Sequence, residues 1–314
     1  MYDKFKIWID RAAAGVQCDA IASTLSGANT QIDHTTGEVK TFGYIGGLKV
    51  CNFVGGLSIT GSLPKFLHGS NIYSLDRKST ARAIEKLSDE LHIDVSASSV
   101  TELEFGTNFL MRYKVQDYLC KLGDMPRLLR YHFEPKTLYY KGKGRKTPKV
   151  FTFYDKQAEA EQKAMPYLDG LKEANVLRYE MRFSGRLPYQ FSVPEVRAST
   201  LYDRAFYKAM IKRYQDNYFS ISKQNQVKTN IMSEIKTVSD AFSVFVARLM
   251  SQTDQTEIGG FIDELKRAGV FSDRNNYSRL RKKIQEVAAR ANIYMSDELI
   301  KELDDDVKNC GAYV

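Results

Sequence analysis

The chain has 314 residues, 43% of them hydrophobic and 27% charged, which is ordinary for a soluble globular protein of one large domain or two modest ones. Its formal net charge of +8 is unevenly distributed, because Lys and Arg crowd residues 141–149 and 274–290 while carboxylates collect around 297–306. Local positive fields favour a polyanionic partner, most commonly nucleic acid, and a solvated basic face without a partner is the alternative.

Cysteine usage and hydropathy argue against several other classes of protein. The four cysteines are scattered and no two stand in a CxxC pair, which argues against a cysteine zinc site and a disulfide framework. The first residues carry charges inside a short apolar run, unlike a signal peptide, and no apolar run approaches the ~20 residues of a membrane span. We therefore expect a cytoplasmic protein with no membrane partner.

Strand patterns dominate the first 190 residues of the chain. Helices are predicted only over 75–91, where Asp76 serves as N-cap, over 114–122 and over 156–165. The polar stretch 26–40 indicates a loop or a hairpin tip. The predicted strands are 5–10, a pair within 42–59 that is broken by Gly-Gly, then 100–109, 128–133, 137–140, 150–154 and 176–183.

Helical periodicity takes over after residue 190. The predicted helices are 201–218, 231–250, 257–268, 277–291 and 296–304, with Gly269 as a stop signal. This division predicts an α+β fold with two domains. We expect an α+β catalytic domain over 1–220 and a helical C-terminal domain, for DNA binding or dimerisation, over 221–314.

The segment from Thr137 to Glu159 carries the most chemical information. Tyr139 and Tyr140 end a short predicted strand, and successive side chains of a strand point to opposite faces, so only one of the two enters a given site. A phenol has an unperturbed pKa of about 10, and enzymes that use it as a nucleophile surround it with cations or a metal. A surface hairpin with a solvated tip is the alternative interpretation. The cations of the glycine-broken turn that follows are Lys141, Lys143, Arg145, Lys146 and Lys149.

Carboxylates flank this segment in two other predicted strands. Glu102 and Glu104 share one face of their strand, and Glu180 projects from another strand with Arg178 and Arg182 beside it at period two. Carboxylates on neighbouring strands form an oxygen-rich site that suits Mg²⁺ or Mn²⁺. Each glutamate alone is ordinarily an exposed strand residue, and their placement on both sides of the tyrosines is what favours a metal site.

The order of these motifs resembles the plasmid and phage rolling-circle replication initiators. Among these, GSLPKFLHGSN at 61–71 is similar to the filamentous-phage gene II/X replication proteins. VTELEFG at 100–106 stands where that family carries a strand with a metal-binding acid, and the resemblance covers residues 42–185. The other motifs that carry it are TLYY at 137–140, the basic turn, FYDK at 153–156, Glu159 and RYEMRF at 178–183.

The resemblance implies an antiparallel-sheet catalytic core that nicks one strand of a plasmid or phage origin. The implied reaction is a metal-dependent transesterification that leaves a 5′-phosphotyrosine link and a 3′ hydroxyl primer. Tyr139 is then the nicking tyrosine, with Tyr140 as the other candidate. Glu104 and Glu180 become ligands of Mg²⁺ or Mn²⁺, and Lys156 becomes a phosphate-facing cation. The five cations of the turn, Lys141, Lys143, Arg145, Lys146 and Lys149, would contact DNA together with Arg178 and Arg182.

The chain departs from the family pattern at several points. Glu104 stands where Asp is usual, Glu102, a third candidate metal ligand, where Arg is common, and Lys141-Gly142 where Gly-Ser is common. Related nickases bind their metal through a His-hydrophobic-His strand, and the nearest approach in this sequence is His132-Phe133-Glu134. We interpret His132 as a strand residue near the site.

Origin DNA, both double- and single-stranded, is the implied partner. The sequence has no GxxxxGK[ST] loop, so unwinding would fall to a host helicase within the replication machinery. A relaxase or transposase of the same chemistry is one alternative. A non-catalytic DNA-binding initiator or repressor is another, favoured by cations in a helix-Gly-helix arrangement that fits a DNA groove: Arg274, Arg279, Arg281, Lys282, Lys283 and Arg290. Either homodimerisation or core packing explains Phe242, Val244, Phe245 and Leu249.

Overall fold

Ten strands form one antiparallel sheet in the computed structural model, which describes residues 1–15, 20–133, 137–144, 147–162, 174–223, 226–227, 236–252, 255–290, 294–295 and 298–311. The order across the sheet is β2-β3-β4-β5-β1-β6-β10-β9-β8-β7, so the first strand of the chain lies beside β6 near its middle. The strands are β1 Tyr2–Asp10, β2 Ser26–Ile32, β3 Val39–Ile45, β4 Leu48–Phe53, β5 Gly56–Ser62, β6 Ser99–Met111, β7 Leu129–Phe133, β8 Thr137–Lys141, β9 Lys149–Asp155 and β10 Asn175–Ser184.

Helices cover one face of the sheet and continue beyond it. Helices α3, α4, α7 and α11 contribute side chains to the buried core. None of the described helices combines the length and apolarity that crossing a bilayer needs. The helices are α1 Arg11–Ala14, α2 Leu63–His68, α3 Arg77–Leu91, α4 Val115–Lys121, α5 Lys156–Gln162, α6 Leu187–Phe191, α7 Arg204–Phe219, α8 Val238–Gln252, α9 Gln255–Arg267, α10 Asn275–Arg290 and α11 Glu298–Asn309.

The helix-covered face of the central strands is built around stacked aromatic rings. Phe153 of β9 and Tyr179 of β10 stack with centroids 4.2 Å apart, and Tyr214 of α7 lies 4.2 Å from Tyr179. The Tyr214 hydroxyl also donates to the Tyr179 carbonyl at 3.0 Å, which satisfies its polar end inside the core. Because side chains alternate along each strand, burying these rings turns the intervening polar residues to the opposite face.

The predicted α+β class, with an antiparallel sheet followed by helices, is confirmed. The segment 42–59 was predicted as two strands and instead contains parts of three, because the chain turns at Gly46-Gly47 and again at Val54-Gly55. Gly46 and Gly47 both adopt positive φ, 52° and 84°, and join β3 to β4. The polar stretch 26–40 contains β2 and the first residues of β3. Parts of four predicted helices, residues 163–165, 231–235, 291 and 296–297, lie outside the described residues.

The last helix, α11, returns to the sheet and packs against β6, α4 and α7. Its residues Ile300, Leu303 and Val307 are buried in the same core as the central strands. The Tyr218 hydroxyl of α7 donates to Asp304 at 2.8 Å. The predicted division of the chain at residue 220 stays a prediction, but α11 shares the core of the sheet.

Helix α8 carries an exposed apolar stripe. The side chains of Phe242, Phe245 and Leu249 are 66%, 58% and 47% exposed, and that of Val244 lies outside the described residues. Core packing therefore does not explain the three described residues. Homodimerisation through this stripe stays a prediction.

The packing of α11 predicts that Leu303→Ala lowers the free energy of unfolding by about 2–5 kcal/mol, since truncating a buried leucine leaves a cavity. Leu249→Ala is the matched control, and we expect it to change stability by about 0.5 kcal/mol or less. Urea unfolding can be followed through Trp8, the one tryptophan, which lies in β1 and so reports on the sheet. Equal effects of the two substitutions would contradict the shared core.

Candidate active site

Polar residues of four adjacent strands, β6, β10, β9 and β8, face the same side of the sheet, opposite the helix-packed core. Glu180 pairs with Thr152, and Thr152 pairs with Tyr139, which places the three in one row across the strands. Glu104 pairs with Arg182 in the next row. Paired residues share a face, and strands lie about 4.8 Å apart, so the Cα atoms of Tyr139 and Glu180 are about 10 Å apart.

A cleft of ≈ 1060 Å³ opens over this surface, and Tyr139, Glu104 and Glu180 all line it. Its described lining carries one cation, Arg182, against five carboxylates. Such a lining repels an anionic substrate unless further positive charge is brought in, and a bound metal ion is one way to supply it. The five carboxylates are those of Glu104, Asp155, Glu159, Glu161 and Glu180.

Two carboxylates of the cleft, those of Glu104 and Glu180, converge with that of Asp3, which is not among the described residues that line the cleft. Asp3 of β1, Glu104 of β6 and Glu180 of β10 each offer an oxygen, and these atoms lie within 4.8 Å of one another. The pairing of β1 with β6 is irregular between Tyr2 and Phe5, and Asp3 lies within that irregularity. The cluster consists of hard oxygen donors, which is the donor set that Mg²⁺ and Mn²⁺ prefer.

Gly106 of β6 leaves room for the Glu180 side chain. A Cβ at Gly106 would lie 2.5 Å from the Tyr179 carbonyl oxygen and 3.0 Å from Cγ of Glu180. Any larger residue would therefore push the two strands apart or displace the carboxylate.

Arg178 connects two of the three carboxylates. Its side chain is 1% exposed, Nη2 donates to Asp3 and Nε donates to Glu180. Its Nη1 donates to Oδ1 of Asn108 at 3.0 Å, so the guanidinium bridges β1, β6 and β10. Burial acts to lower the pKa of Arg178, but the charges of Glu180 and Asp3 outweigh it and raise that pKa above the ordinary value. Arg178 therefore does not fit as a contact to DNA, because the guanidinium is buried and bonded to these partners.

Glu104 is less well compensated, because the charges of Lys4 and Arg182 lower its pKa by less than its surroundings raise it. Among the described residues, the structure gives it no hydrogen bond or ion pair. Burial, followed by the nearby charges of Glu180 and Asp3, raises the pKa of Glu104 to about 7. The cluster therefore has one carboxylate whose charge is poorly stabilised near neutral pH, which is the position where a bound cation would gain most.

The two adjacent tyrosines lie on opposite faces of β8. Tyr139 faces the cleft, and its ring meets Phe133 of β7 edge to face at 5.9 Å. Tyr140 is fully buried in the core, where its hydroxyl donates to the Gly123 carbonyl at 2.7 Å and burial raises its pKa. Tyr140 does not fit as an alternative nucleophile, because its side chain lies in the core, away from the cleft, and its raised pKa keeps the phenol protonated.

Two further predicted site residues lie elsewhere than expected. Lys156 is 6% exposed and donates to Glu159 at 2.7 Å, and it is not among the described residues that line the cleft, so it does not fit as a phosphate-facing cation. Glu102 lies 3.6 Å from Lys6 and is outside the three-carboxylate cluster, so it does not fit as a metal ligand.

The predicted DNA-binding cations are spread around the cleft. Lys141 places its Nζ 4.6 Å above the Tyr131 ring, and Lys143 is exposed. Arg182 is exposed and lines the cleft, while Lys149 is half-buried, with a pKa that burial and the charge of Arg213 lower. Their contact with DNA stays a prediction. Arg145 and Lys146 lie outside the described residues.

Two residues of the site were not predicted from the sequence. One is Asp3, which gives no local signal because only the strand order places β1 beside β6. The other is Tyr154, which lines the cleft and donates to Glu180 at 3.1 Å. Burial, followed by the charge of Glu180, raises the pKa of Tyr154, so it acts as a protonated phenol that orients the carboxylate. Its alternation with Phe153, which is in the core, is the signal that could have identified it.

Residues 1–220 match the model of a protein family described as the N-terminal region of the phage replication-associated protein, the gene II product. The matched region contains the whole ten-stranded sheet and every residue of the cleft. This confirms the resemblance to the filamentous-phage replication proteins that the motifs indicated. No curated protein matches the chain.

The raised pKa of Glu104 predicts a pH-dependent stability in metal-free protein. The folded state holds the Glu104 proton up to about pH 7, against an ordinary pKa of 4.5, so the stability falls as the pH rises through this window. Glu104→Gln removes the free-energy cost of ionising this buried carboxyl group. It should therefore raise the free energy of unfolding by about 3 kcal/mol at pH 8 in EDTA, but not at pH 4.

Glu102→Gln is the matched control for this substitution, since Glu102 is on the same strand and outside the cluster. Added Mn²⁺ should raise the melting temperature of the wild-type protein and of Glu102→Gln, and should do so far less for Glu104→Gln. A melting temperature of Glu104→Gln at or below the wild-type value in EDTA at pH 8 would contradict this electrostatic account.

The Arg178 ion pairs predict a large loss of stability on Arg178→Met. Removing the guanidinium leaves Asp3 and Glu180 buried beside each other without a cation, which should cost about 3–5 kcal/mol in the free energy of unfolding. Arg182→Met removes an exposed arginine four residues along the same strand and should cost less than about 1 kcal/mol. Urea unfolding followed through Trp8 compares the stabilities of the two variants. Similar losses would show that the ion pairs of Arg178 contribute no more to stability than an exposed arginine does.

Proposed function

Because the chain belongs to the family of phage replication-associated proteins that share the N-terminal region of the gene II product, we propose that it nicks one strand of a phage or plasmid replication origin by tyrosine transesterification. The observation that carries the proposal is that Tyr139, Glu104 and Glu180 line the same cleft. The protein would act on origin DNA in the cytoplasm of a bacterial host, and a host helicase would unwind the nicked duplex.

In the proposed step, Tyr139 gives up its phenolic proton to water and its oxygen attacks the scissile phosphorus. A bond forms between the tyrosine oxygen and phosphorus, and the bond from phosphorus to the 3′ oxygen breaks. The 3′ oxygen takes a proton from water and becomes the hydroxyl that primes synthesis. The 5′ end stays attached as a phosphotyrosine diester, which retains the energy of the broken bond, so later rejoining needs no ATP.

The surrounding residues would prepare this attack. Asp3, Glu104 and Glu180 would hold Mg²⁺ or Mn²⁺, which when bound polarises the phosphate and neutralises charge that develops on it. Arg178 fixes the positions of Asp3 and Glu180 beforehand, so little reorganisation is needed when substrate binds. Arg182, at the edge of the cleft, would contact the backbone of the DNA strand.

Packing against one neighbouring ring partly fixes the position of the Tyr139 side chain. It packs edge to face against Phe133, and the structure gives its hydroxyl no hydrogen-bond partner among the described residues. Tyr154, the other phenol that lines the cleft, already donates to Glu180 and has a raised pKa. Of the two phenols, Tyr139 is therefore the one we assign as the nucleophile.

A second candidate function, DNA binding without catalysis, is favoured by helix α10. Its turn from α9 is held by Tyr277, whose hydroxyl donates to the Leu265 carbonyl at 3.2 Å and accepts from the Phe271 amide at 3.1 Å. A protein that only binds would leave a supercoiled origin plasmid intact, and a relaxase or transposase would differ in its DNA substrate. The exposed cations near this turn and on α10 are Arg274, Arg279, Arg281, Lys282 and Lys283, whereas the Arg290 side chain lies outside the described residues.

The proposal predicts that Tyr139→Phe abolishes nicking. On a supercoiled plasmid that carries the origin, with Mn²⁺, its nicking rate should fall by roughly 10⁴-fold or more, the scale of losing a covalent nucleophile. Tyr140→Phe is the matched control, because it removes only a core hydrogen bond worth about 1 kcal/mol and should keep the wild-type rate at temperatures below unfolding. Gel analysis of open-circular product measures both rates, and nicking by Tyr139→Phe at the rate of Tyr140→Phe would refute the assignment.

A further inference from the structure

A second pocket, of ≈ 1020 Å³, adjoins the nicking cleft at the end of β10, and of its described lining only Arg182 has a role in the step described above. It lies between the C-terminal end of β10, the start of β9 and helix α6. We call it the Arg186 pocket. Arg182 lines both the cleft and the Arg186 pocket, so the two form one continuous surface. The charged and aromatic residues of its lining are Glu102, Lys149, Arg182, Arg186 and Tyr189.

The Arg186 pocket has the opposite charge to the cleft. Its described lining holds three cations, Lys149, Arg182 and Arg186, and one carboxylate, Glu102. That carboxylate is itself 3.6 Å from Lys6, which offsets its charge. Two arginines and a lysine around a concave surface are suited to phosphate oxygens, which arginine binds through two parallel hydrogen bonds.

Tyr189 gives this pocket an exposed aromatic wall. Its side chain is 85% exposed, although it belongs to a helix that is firmly anchored. Beside it, Gln190 donates to the Ser184 and Gly185 carbonyls at 3.0 and 2.7 Å, and Arg213 donates to the Gln190 carbonyl at 2.9 Å. An exposed ring next to cations, on a helix that these hydrogen bonds anchor, is the arrangement on which nucleobases stack.

The strand β10 provides a path from the cleft to the pocket. Glu180, Arg182 and Ser184 follow one another on the same face, each about 6.6 Å further along the strand. A DNA strand whose scissile phosphate lies over Glu180 therefore reaches Arg182 and then the Arg186 pocket without leaving the sheet face. The change from acidic cleft to basic pocket falls along this path.

We propose that the Arg186 pocket binds one nucleotide of the single DNA strand that leaves the nicking cleft. Lys149, Arg182 and Arg186 contact its phosphate, and Tyr189 stacks on its base. The proposal rests on the proposed function for the direction of the strand. Stacking on a single ring discriminates weakly between bases, so the pocket holds the strand in register whatever its sequence.

The test measures binding without cleavage. The probe is a fluorescein-labelled, single-stranded 20-mer of thymidylate, and its fluorescence anisotropy is titrated with protein that carries Tyr139→Phe. Adding Tyr189→Ala should raise Kd about tenfold, within the range that loss of one stacked base produces. Tyr189→Phe keeps the ring and should stay within about twofold of the parent protein. Adding Arg186→Gln should weaken binding and lower the slope of log K against log salt by about 0.7.

Matched controls distinguish binding in the Arg186 pocket from the general effect of removing an exposed ring or a surface charge. Tyr44→Ala removes a tyrosine that is 50% exposed on β3, and Arg197→Gln removes an arginine whose side chain is 49% exposed. Neither should change Kd by more than about twofold. If Tyr189→Ala binds the probe as tightly as Tyr44→Ala does, the proposal is overturned.

The result also separates this proposal from the nicking function. Nicking by the wild-type protein together with an unchanged Kd in Tyr189→Ala would overturn the Arg186 pocket alone. Weaker binding in Tyr189→Ala, together with a wild-type protein that forms no adduct with origin DNA, would support the pocket and contradict the nicking function alone.

Discussion

The ion pairs that Arg178 makes with Asp3 and Glu180 are the constraint on which the rest of the site depends. They join the first strand of the chain to a strand 175 residues later, and the bond to Asn108 ties in the strand between them. Burying these charges is costly, and apolar residues would pack there more cheaply. What the charges provide is a fixed arrangement of carboxylates on the open face of the sheet, with Glu104 left as the member whose charge still needs a cation.

The two faces of the sheet differ: one packs against the helices, and the other lines the cleft. Stacked rings such as Phe153 and Tyr179 hold the helices on one face, while Tyr154 and Glu180, each one position away, face the cleft. The same alternation separates Tyr139 from Tyr140 and makes the choice between them a question of register. A shift of β8 by one residue would bury Tyr139 and place Tyr140 in the cleft.

Much of this arrangement could be predicted from the sequence, because period-two alternation is local. It predicted that one of the two adjacent tyrosines would enter a site and that Glu102 and Glu104 would share one face of their strand, whereas the pairing of Glu104 with Glu180 as ligands came from the family resemblance. Asp3 could not be found in this way, since its place depends on the long-range pairing of β1 with β6. Arg178 and Arg182 have equivalent positions in the strand pattern, so the sequence does not distinguish them. In the structure, Arg178 is buried and bonded to Asp3 and Glu180, whereas Arg182 is exposed at the cleft.

The central claim is that Tyr139 attacks DNA within a cleft whose carboxylates hold a metal ion. Its most direct test is to trap the covalent complex on a single-stranded origin oligonucleotide with Mn²⁺, digest it with trypsin and nuclease, and locate the nucleotide by mass spectrometry. The account predicts a nucleotide monophosphate attached to Tyr139, and no such product in EDTA. A nucleotide on Tyr140 or Tyr154, or an adduct that forms equally well in EDTA, would contradict it.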